Sequence, residues 1–232
     1  MKALRIRPRL ALLTVLVIGF IIPITAGREK RQAYSPNQKE FYLEANQLTY
    51  IQPGLKIEIQ KAEVVGDQVR VTFRLKDDSG APLDRTGITT PGTVSPSFVL
   101  SRIERGQRQY TAYATNTVTS TVTNLTATQP TTDAGGVYEK LAEGEYRYTF
   151  GRRLPAGFDK TATHTVGMYG SRNLSAFGMG TYVDNDVNTF VPDGSKVTVV
   201  RDVVRTATCN SRCHDPLQFH GGGRRKVELC IL

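Results

Sequence analysis

The first 208 residues of this chain contain no cysteine, although the chain is 232 residues long. A body of that length buries enough apolar surface to fold around an ordinary hydrophobic core, and the missing cysteines exclude a scaffold that depends on disulfides. All three cysteines, Cys209, Cys213 and Cys230, stand in the last 24 residues, together with two of the three histidines, His214 and His220. The residues with the most distinctive chemistry are therefore confined to the C-terminal segment.

Sequence signatures of hydrolases and transferases are also missing. The chain has no nucleophile elbow, and the glycine run Gly221–Gly223 lacks the Gly-Lys-Ser/Thr ending of a phosphate-binding loop. The neighbouring carboxylates Asp77 and Asp78 fall in a predicted turn. Asp184 with Asp186 would bind calcium only if several further oxygen ligands converged on them. These absences argue against an enzyme that makes or breaks substrate bonds.

A formal net charge of +9 is high enough to suggest a nucleic-acid partner, but its distribution argues against one. Lys2, Arg5, Arg7 and Arg9 supply four of the positive charges, and residues 201–232, with six basic and three acidic side chains, supply a further three. Basic and aromatic residues do not alternate along one stretch, as the binding of a single strand would require. We therefore predict no nucleic-acid partner.

An apolar run follows the basic N-terminus. It extends over 17 residues, Leu10–Ala26, contains Pro23 and is followed by Gly27. This order is typical of an export signal cleaved near Ala26 or Gly27, while the length is at the short limit for a membrane-spanning helix. Residues 1–27 are therefore a signal peptide or a signal anchor, and we expect the rest of the chain to lie outside the cytoplasm.

The middle of the chain predicts a mainly β domain. Residues 28–54 form a polar tether and a lead-in segment that fits either a short helix or a strand. The clearest hairpin joins Leu55–Val65 to Gln68–Lys76 across the turn residues Gly66 and Asp67, because apolar and polar residues alternate in its second strand. Further strands are predicted at Ser97–Glu104, Arg108–Asn116, Gly144–Gly151, Thr163–Ser171, Phe177–Asp184 and Lys196–Val203.

Strands at this spacing, with turn residues between them and no convincing amphipathic helix, predict an antiparallel Greek-key sandwich or barrel over residues 55–203. The threonine-rich stretch 117–136 is predicted to be a long surface loop with room for a short ribbon. His164 lies on a predicted strand, where a structural histidine with satisfied hydrogen bonds is a better interpretation than a metal ligand.

The C-terminal pattern Cys209-Asn-Ser-Arg-Cys213-His214 is one residue longer than the usual attachment motif for c-type haem. In that motif two thiols on one turn add to the haem vinyl groups, and the histidine that follows ligates the iron. Cys230 would begin a second such motif if Cys-His followed Leu232, so we expect that the sequence stops inside that motif.

Three other interpretations of these residues stay open. A Cys209–Cys213 disulfide would leave Cys230 unpaired and the two neighbouring histidines unexplained. A zinc ion would recruit Cys209, Cys213, His220 and Cys230, but the wide separation between ligand pairs in finger-like sites is missing. A short motif also arises by chance. The spacing and the direct Cys-His adjacency favour haem.

The runs TATCNSRCHDPLQFHGGGRRKVELC, residues 206–230, and LPAGFDKTATHTVGMYGSRN, residues 154–173, resemble the OmcA/MtrC family of decahaem outer-membrane cytochromes. In that family a β domain precedes the first cluster of haems. The chain departs from the family pattern in its longer attachment spacer and in having no cysteine after the leader for a lipid anchor. The resemblance implies that residues 204–232 are the start of a multihaem domain with irregular or helical structure.

The resemblance also implies a set of ligands. At least one haem c would be held by Cys209 and Cys213 with His214 as the proximal iron ligand, and Cys230 would begin the attachment of a second. His220 is a candidate distal ligand of a neighbouring haem, because six residues give too short a reach to the opposite face of the haem that His214 ligates. The alternative for His220 is an exposed loop histidine.

The function that the resemblance implies is electron transfer rather than bond-making catalysis. The chain would be part of an exported multihaem cytochrome in the periplasm or at the outer membrane and cell surface. Its partners would be other cytochromes or an outer-membrane electron conduit, with metal oxides or redox shuttles as acceptors. The alternative is an exported β-sandwich interaction module whose tail cysteines form a disulfide and bind no haem.

Overall fold

A computed structural model of the protein describes residues 34–201. These residues form the short helix α1 (Ala45–Ile51) and two 3-10 turns (Lys39–Tyr42 and Ser175–Phe177). The strands are β1 (Lys56–Val65), β2 (Gln68–Lys76), β3 (Val94–Ile103), β4 (Tyr110–Ala112), β5 (Thr115–Thr119), β6 (Thr126–Pro130), β7 (Val137–Ala142), β8 (Glu145–Thr149), β9 (Thr163–Asn173) and β10 (Thr181–Phe190). No helix within residues 34–201 is both long and apolar enough to span a bilayer.

Eight of the strands form two four-stranded antiparallel sheets. One sheet has the order β1-β2-β8-β7 and the other has the order β10-β9-β3-β4, while β5 and β6 pair only with each other. The chain changes sheet between β2 and β3, returns between β4 and β7, and changes again between β8 and β9. This gives the Greek-key strand order of an immunoglobulin-type sandwich. The predicted antiparallel sandwich is thereby confirmed, and among the described strands the sheets do not close into a barrel.

Aromatic side chains join the two sheets across the core. In β2 the alternation read from the sequence is realised, since Val69, Val71, Phe73 and Leu75 are all fully buried. Phe98 of β3, in the opposite sheet, stacks on the ring of Tyr148 of β8 with centroids 4.1 Å apart, and its centroid is 5.6 Å from that of Phe73. The inner faces of both sheets therefore contribute to one core.

The predicted strands differ from the observed ones mainly in the second half of the chain. The hairpin of β1 and β2 has the predicted turn and ends, apart from Leu55. By contrast, the strand predicted at Phe177–Asp184 is shifted to Thr181–Phe190, because Gly178 and Gly180 adopt positive φ angles of 75° and 92° and hold a turn there. The segment Arg108–Asn116 is divided between β4 and β5, and the predicted loop 117–136 contains most of a two-stranded ribbon.

One predicted strand is wrong. Residues 196–201 of the predicted strand Lys196–Val203 have no regular structure. Pro192 and Gly194 turn the chain after β10, and the side chains of Val199 and Val200 are 42% and 62% exposed. The apolar alternation of this stretch has no neighbouring strand among the described residues, and alternation without a partner does not make a strand.

β1 and β10 lie side by side and run in the same direction. The backbone N–H of Ile57 donates to Asp184 Oδ2 and that of Ile59 to Asp186 Oδ2, each at 2.8 Å. Because β1 is an edge strand, these carboxylates replace the neighbouring strand that would otherwise satisfy its N–H groups. Asp184 and Asp186 therefore connect the two sheets by hydrogen bonds. This role differs from the calcium ligation considered from the sequence.

This parallel arrangement places the start of β1 and the end of β10 at opposite ends of the sandwich. We call the end where β1 and β10 begin the lower end, and the end where they finish the upper end. Each strand has ten residues, so the ends are about 33 Å apart at about 3.3 Å per residue. Residues 34–55 join β1 at the lower end, and residues 191–201 follow β10 at the upper end.

A buried arginine attaches the lead-in segment to the lower end. Arg172 of β9 has no exposed surface, and its guanidinium donates to the carbonyl oxygens of Ile51 and Gly54 at 3.0 Å, to that of Pro91 at 2.9 Å and to that of Gln52. Burial lowers the pKa of Arg172 to about 10, which leaves it charged at neutral pH. Of the two conformations left open for the lead-in segment, the structure contains the helix.

Candidate functional site

The residues that the sequence assigned to haem are Cys209, Cys213, His214, His220 and Cys230, and all of them lie outside the described residues. Their roles remain predictions. Within residues 34–201 there is no group of three or more His, Cys, Asp or Glu side chains that would hold a metal ion. The part of the sandwich that bears most directly on these predictions is its upper end, from which the chain continues toward Cys209.

His164 is buried at this upper end with both ring nitrogens paired. Nδ1 lies 2.9 Å from the carbonyl oxygen of Ala162, and Nε2 lies 2.6 Å from the hydroxyl oxygen of Tyr113. A carbonyl only accepts, so Nδ1 carries the proton and Nε2 accepts the hydrogen bond that Tyr113 donates. His164 has no exposed surface, and its structural role, predicted from the sequence, is confirmed.

Aromatic and cationic groups enclose this histidine. The ring of Tyr113 lies nearly parallel to that of His164, with centroids 5.6 Å apart, and Phe158 and Phe190 lie within about the same distance on other sides. The guanidinium of Arg102 stands 4.6 Å above the ring of Tyr113. These residues come from four separate segments of the chain, so the cluster connects those segments at the upper end of the sandwich.

A shallow pocket of about 460 Å³ opens beside the cluster. Its wall consists of Arg102, Glu104 and Arg105 on one side and the loop 155–159 with Ala162 on the other. Arg102 forms an ion pair of 2.6 Å with Glu104. Chemically, the pocket offers guanidinium groups next to the aromatic ring of Phe158, an arrangement that suits a planar or anionic group and contains no nucleophile paired with a base.

The pocket lies next to the chain segment that leaves the sandwich. The N–H of Asp193 donates to the carbonyl oxygen of Lys160 at 3.1 Å, which holds the turn after β10 against the loop 155–162. This pocket was not predicted from the sequence. The one signal for it was indirect, because the run 154–173 that resembles the cytochrome family contains both the loop and His164.

The buried histidine makes a prediction for the pH dependence of stability. Burial lowers the pKa of His164, and the nearby guanidinium of Arg102 lowers it further, while the bond to Ala162 and the carboxylate of Asp159 act in the opposite direction. An unfolded histidine titrates near pH 6.5. Below that pH the unfolded state binds more protons than the folded state, so we expect the free energy of unfolding to fall as the pH decreases from about 7.5 to 5.

Urea unfolding at several pH values measures this slope. In a His164→Gln variant the side chain does not titrate, so the part of the slope due to His164 should be lost, and a Lys196→Gln substitution at an exposed position serves as a control. An identical slope in wild type and His164→Gln would contradict the prediction.

Comparison with solved structures identifies this fold. The outer-membrane decahaem cytochrome OmcA matches over 77% of this chain with a TM-score of 0.58 and 21% sequence identity. MtrC from Shewanella baltica OS185 matches over 76% with a TM-score of 0.54 and 20% identity. The chain is OmcA/MtrC-like in its fold. The family resemblance read from the sequence is confirmed at that level.

The likeness covers only part of each cytochrome. The matched region is 29% of the OmcA chain and 28% of the MtrC chain, so this OmcA/MtrC-like chain spans less than a third of their length. No family model matches it, and no curated protein matches it. At about one identical residue in five, the comparison establishes the fold and leaves the function to be argued from the residues of this chain.

Proposed function

We propose that this chain belongs to an exported multihaem c-type cytochrome and serves electron transfer. The proposal rests on two observations taken together, the fold of the sandwich and the cysteine motif that follows it. A sandwich with the fold found in the decahaem cytochrome OmcA and in MtrC is followed, shortly after its last strand, by the Cys209-Asn-Ser-Arg-Cys213-His214 motif. Neither feature alone would suffice, because the fold hosts many functions and the motif is short.

The donor set of the C-terminal segment fits a covalently attached haem. Cys209 and Cys213 supply two thiols close in sequence, and His214 supplies an imidazole directly after the second. His220 is assigned to the iron of a neighbouring haem, and Cys230 to the attachment of a second. Haem c supplies reversible one-electron chemistry at its iron, so the protein needs no catalytic acid or base of its own.

The sandwich contributes position rather than chemistry in this proposal. Its two ends are about 33 Å apart, judged from the ten-residue strands β1 and β10. The sandwich therefore separates the lower end, where the lead-in segment attaches, from the pocket at the upper end. The guanidinium groups of Arg102 and Arg105 beside the pocket at the upper end suit the carboxylates of a haem or of a partner protein.

The partners follow from the same proposal. Electrons would pass to other cytochromes or an outer-membrane conduit and finally to metal oxides or redox shuttles, and the chain would lie in the periplasm or at the cell surface. These assignments are supported by the kind of proteins that share the fold, which are an outer-membrane decahaem cytochrome and MtrC.

Co-expression with a c-haem maturation system tests the proposal. We expect a Soret band that survives denaturation and a mass increase of at least one haem, because thioether bonds persist when the fold is lost. The matched control is the Cys209→Ser, Cys213→Ser double variant, which should be colourless under the same conditions. A colourless wild-type chain with a Cys209–Cys213 disulfide would overturn the proposal.

That outcome would support the second candidate, an exported interaction module. The observation in its favour is the ribbon of β5 and β6, in which all ten strand residues are exposed. An isolated two-stranded ribbon is only marginally stable in water, and exposed edges are suited to pairing with another protein. A colourless protein would therefore direct attention to the edges of this ribbon as a contact surface for another protein.

A further inference from the structure

A second pocket, of about 230 Å³, lies at the lower end of the sandwich between the C-terminus of α1 and the loop that follows β2. We call it the lower pocket. Gln52, with a φ angle of 49°, ends α1. The N–H of Asp78 donates to the carbonyl oxygen of Pro53 at 3.0 Å, which holds the loop against the end of the helix. Two segments that are distant in the sequence therefore form the walls of the lower pocket.

The lining of the lower pocket combines apolar surface with one charged group. Leu48, Pro53 and Ala81 supply an aliphatic wall, and Tyr34 supplies an aromatic ring. Of the lining residues that the structure describes, only Asp77 carries a charge. A concave site with mostly apolar walls and a few convergent polar groups is typical of binding sites for small ligands.

Asp77 is buried, but one of its carboxylate oxygens is left for a ligand. Only 3% of the residue is exposed. Its Oδ1 accepts hydrogen bonds from Ser79 Oγ and from the N–H of Ala81, each at 2.8 Å. No described group donates to Oδ2, yet Oδ2 is not sealed inside the protein. Because Asp77 lines the lower pocket, Oδ2 is the oxygen that the carboxylate presents to it.

Two cations lie beside the carboxylates of Asp77 and Asp78, and both are already bonded to backbone oxygens. All five N–H groups of the Arg172 guanidinium donate to carbonyl groups. Lys56 Nζ donates to the carbonyl oxygen of Asp78 at 2.7 Å. Arg172 therefore acts on Asp77 through its charge alone, and neither cation supplies the hydrogen bond that Oδ2 lacks.

The electrostatic potential at the Tyr34 ring is negative. Burial raises the pKa of the Tyr34 hydroxyl most strongly. Three carboxylates, those of Asp78, Glu40 and Asp77, raise it further. A cation in the lower pocket is attracted both by these charges and by the face of the aromatic ring. An anion would be repelled.

We propose that the lower pocket binds a primary ammonium group carried on a short aliphatic chain. The ammonium donates to Asp77 Oδ2 and lies against the ring of Tyr34, while the chain contacts the aliphatic wall. A divalent metal ion fits less well, because within residues 34–201 no three His, Cys, Asp or Glu side chains converge to hold one. None of the pocket residues is assigned to haem, so this site goes beyond the proposed function.

Ligand-observed saturation-transfer NMR with the full-length protein tests the proposal. The probes are n-butylammonium, which represents a free amine, and Nα-acetyl-lysine methylamide, which represents a lysine side chain of another protein. The neutral control is n-butanol, which has the same chain without the charge. We expect saturable binding of the ammonium probes and about tenfold or more weaker binding of n-butanol, because it lacks the charge-assisted hydrogen bond. The tighter of the two ammonium probes identifies the source of the group.

Three variants locate the binding. Asp77→Asn keeps the Oδ1 acceptor and removes the charge, so its affinity for the ammonium probes should decrease about tenfold or more. Asp193→Asn makes the same change of charge at an exposed position outside the pocket and should bind like the wild type. Ala81→Leu should also weaken binding, because the larger side chain fills the lower pocket while Asp77 stays in place.

Equal affinities of the wild type and Asp77→Asn would overturn the proposal. If Asp77→Asn does not fold, equal affinities of the wild type and Ala81→Leu would do the same. Binding of n-butanol as tight as that of n-butylammonium would mean that the pocket recognises only the chain, and no saturable binding of either ammonium probe would mean that it is not a site. The proposed electron-transfer function is judged separately, since this experiment needs no haem and the maturation test does not involve Asp77.

Discussion

Replacing Arg172 with alanine is expected to lower the free energy of unfolding by about 3–5 kcal/mol, the range for breaking up a buried charged network. The side chain has no exposed surface, and its guanidinium serves the carbonyl groups of Ile51, Gln52, Gly54 and Pro91. Those acceptors would be left without their donor, and each buried polar group that loses its partner costs about 1–3 kcal/mol.

Urea unfolding of the wild type and the variant measures the loss. Arg74→Ala is the matched control, because Arg74 pairs with Glu145 at 2.8 Å on the surface, with its side chain 47% exposed, and such a pair contributes about 0–1 kcal/mol. Arg172→Lys should fall between the two, since one ammonium group cannot serve four carbonyl groups in fixed directions. A loss of less than 1 kcal/mol in Arg172→Ala would contradict the assigned role.

The same contacts predict which part of the Arg172→Ala variant unfolds first. Arg172 is the link between β9 and the C-terminus of α1, so the variant should release the lead-in segment before the sandwich unfolds. Limited proteolysis around residues 44–54 would detect this release as faster cleavage relative to the wild type. Equal cleavage rates would mean that α1 is held by other contacts.

The sequence predicted the sandwich because most of its strands carry a local signal. In β2 the apolar residues alternate over nine positions, and the turn Gly66-Asp67 fixes the register of the hairpin with β1. β7 was not predicted, because it is an edge strand whose residues, apart from the partly buried Tyr138, are exposed. Local alternation also misled, since Lys196–Val203 has the pattern of a strand but no neighbouring strand for the residues that the structure describes.

Contacts between distant residues could not be predicted. Arg172 reads as an ordinary charged residue near the end of a strand, yet its partners lie 81 to 121 residues away in the chain. The carboxylates of Asp184 and Asp186 read as possible cation ligands, yet they satisfy the edge of β1 at a distance of 127 residues. Both roles depend on which strands become neighbours, and that depends on the whole topology.

The haem motif, by contrast, could be recognised from the sequence alone. Its chemistry is local, because two thiols and one imidazole within six residues, Cys209–His214, carry the whole signal. The fold of the preceding sandwich adds context by likeness to OmcA and MtrC. Substitutions of His214 and His220 therefore test the assignment of the haem ligands most directly.

Replacing His214 with alanine is expected to abolish the spectrum of a histidine-ligated haem in the matured chain. Cys209 and Cys213 remain, so attachment through the thioether bonds is still available, but the imidazole that ligates the iron is gone. The haem should lose the spectrum of a histidine-ligated iron or be poorly incorporated. Absorbance spectra of the purified wild type and variant, together with their masses, separate loss of the ligand from loss of the haem.

His220→Ala is the matched control for this assignment. His220 lies six residues beyond His214 and is assigned to a neighbouring haem, because so short a segment does not readily reach the opposite face of the haem that His214 ligates. In a chain that carries one haem, its replacement should leave the spectrum of the histidine-ligated haem unchanged. An unchanged spectrum in His214→Ala would show that the proximal ligand is wrongly assigned. A loss confined to His220→Ala would move that role six residues along the chain and break the direct Cys-His adjacency on which the haem interpretation rests.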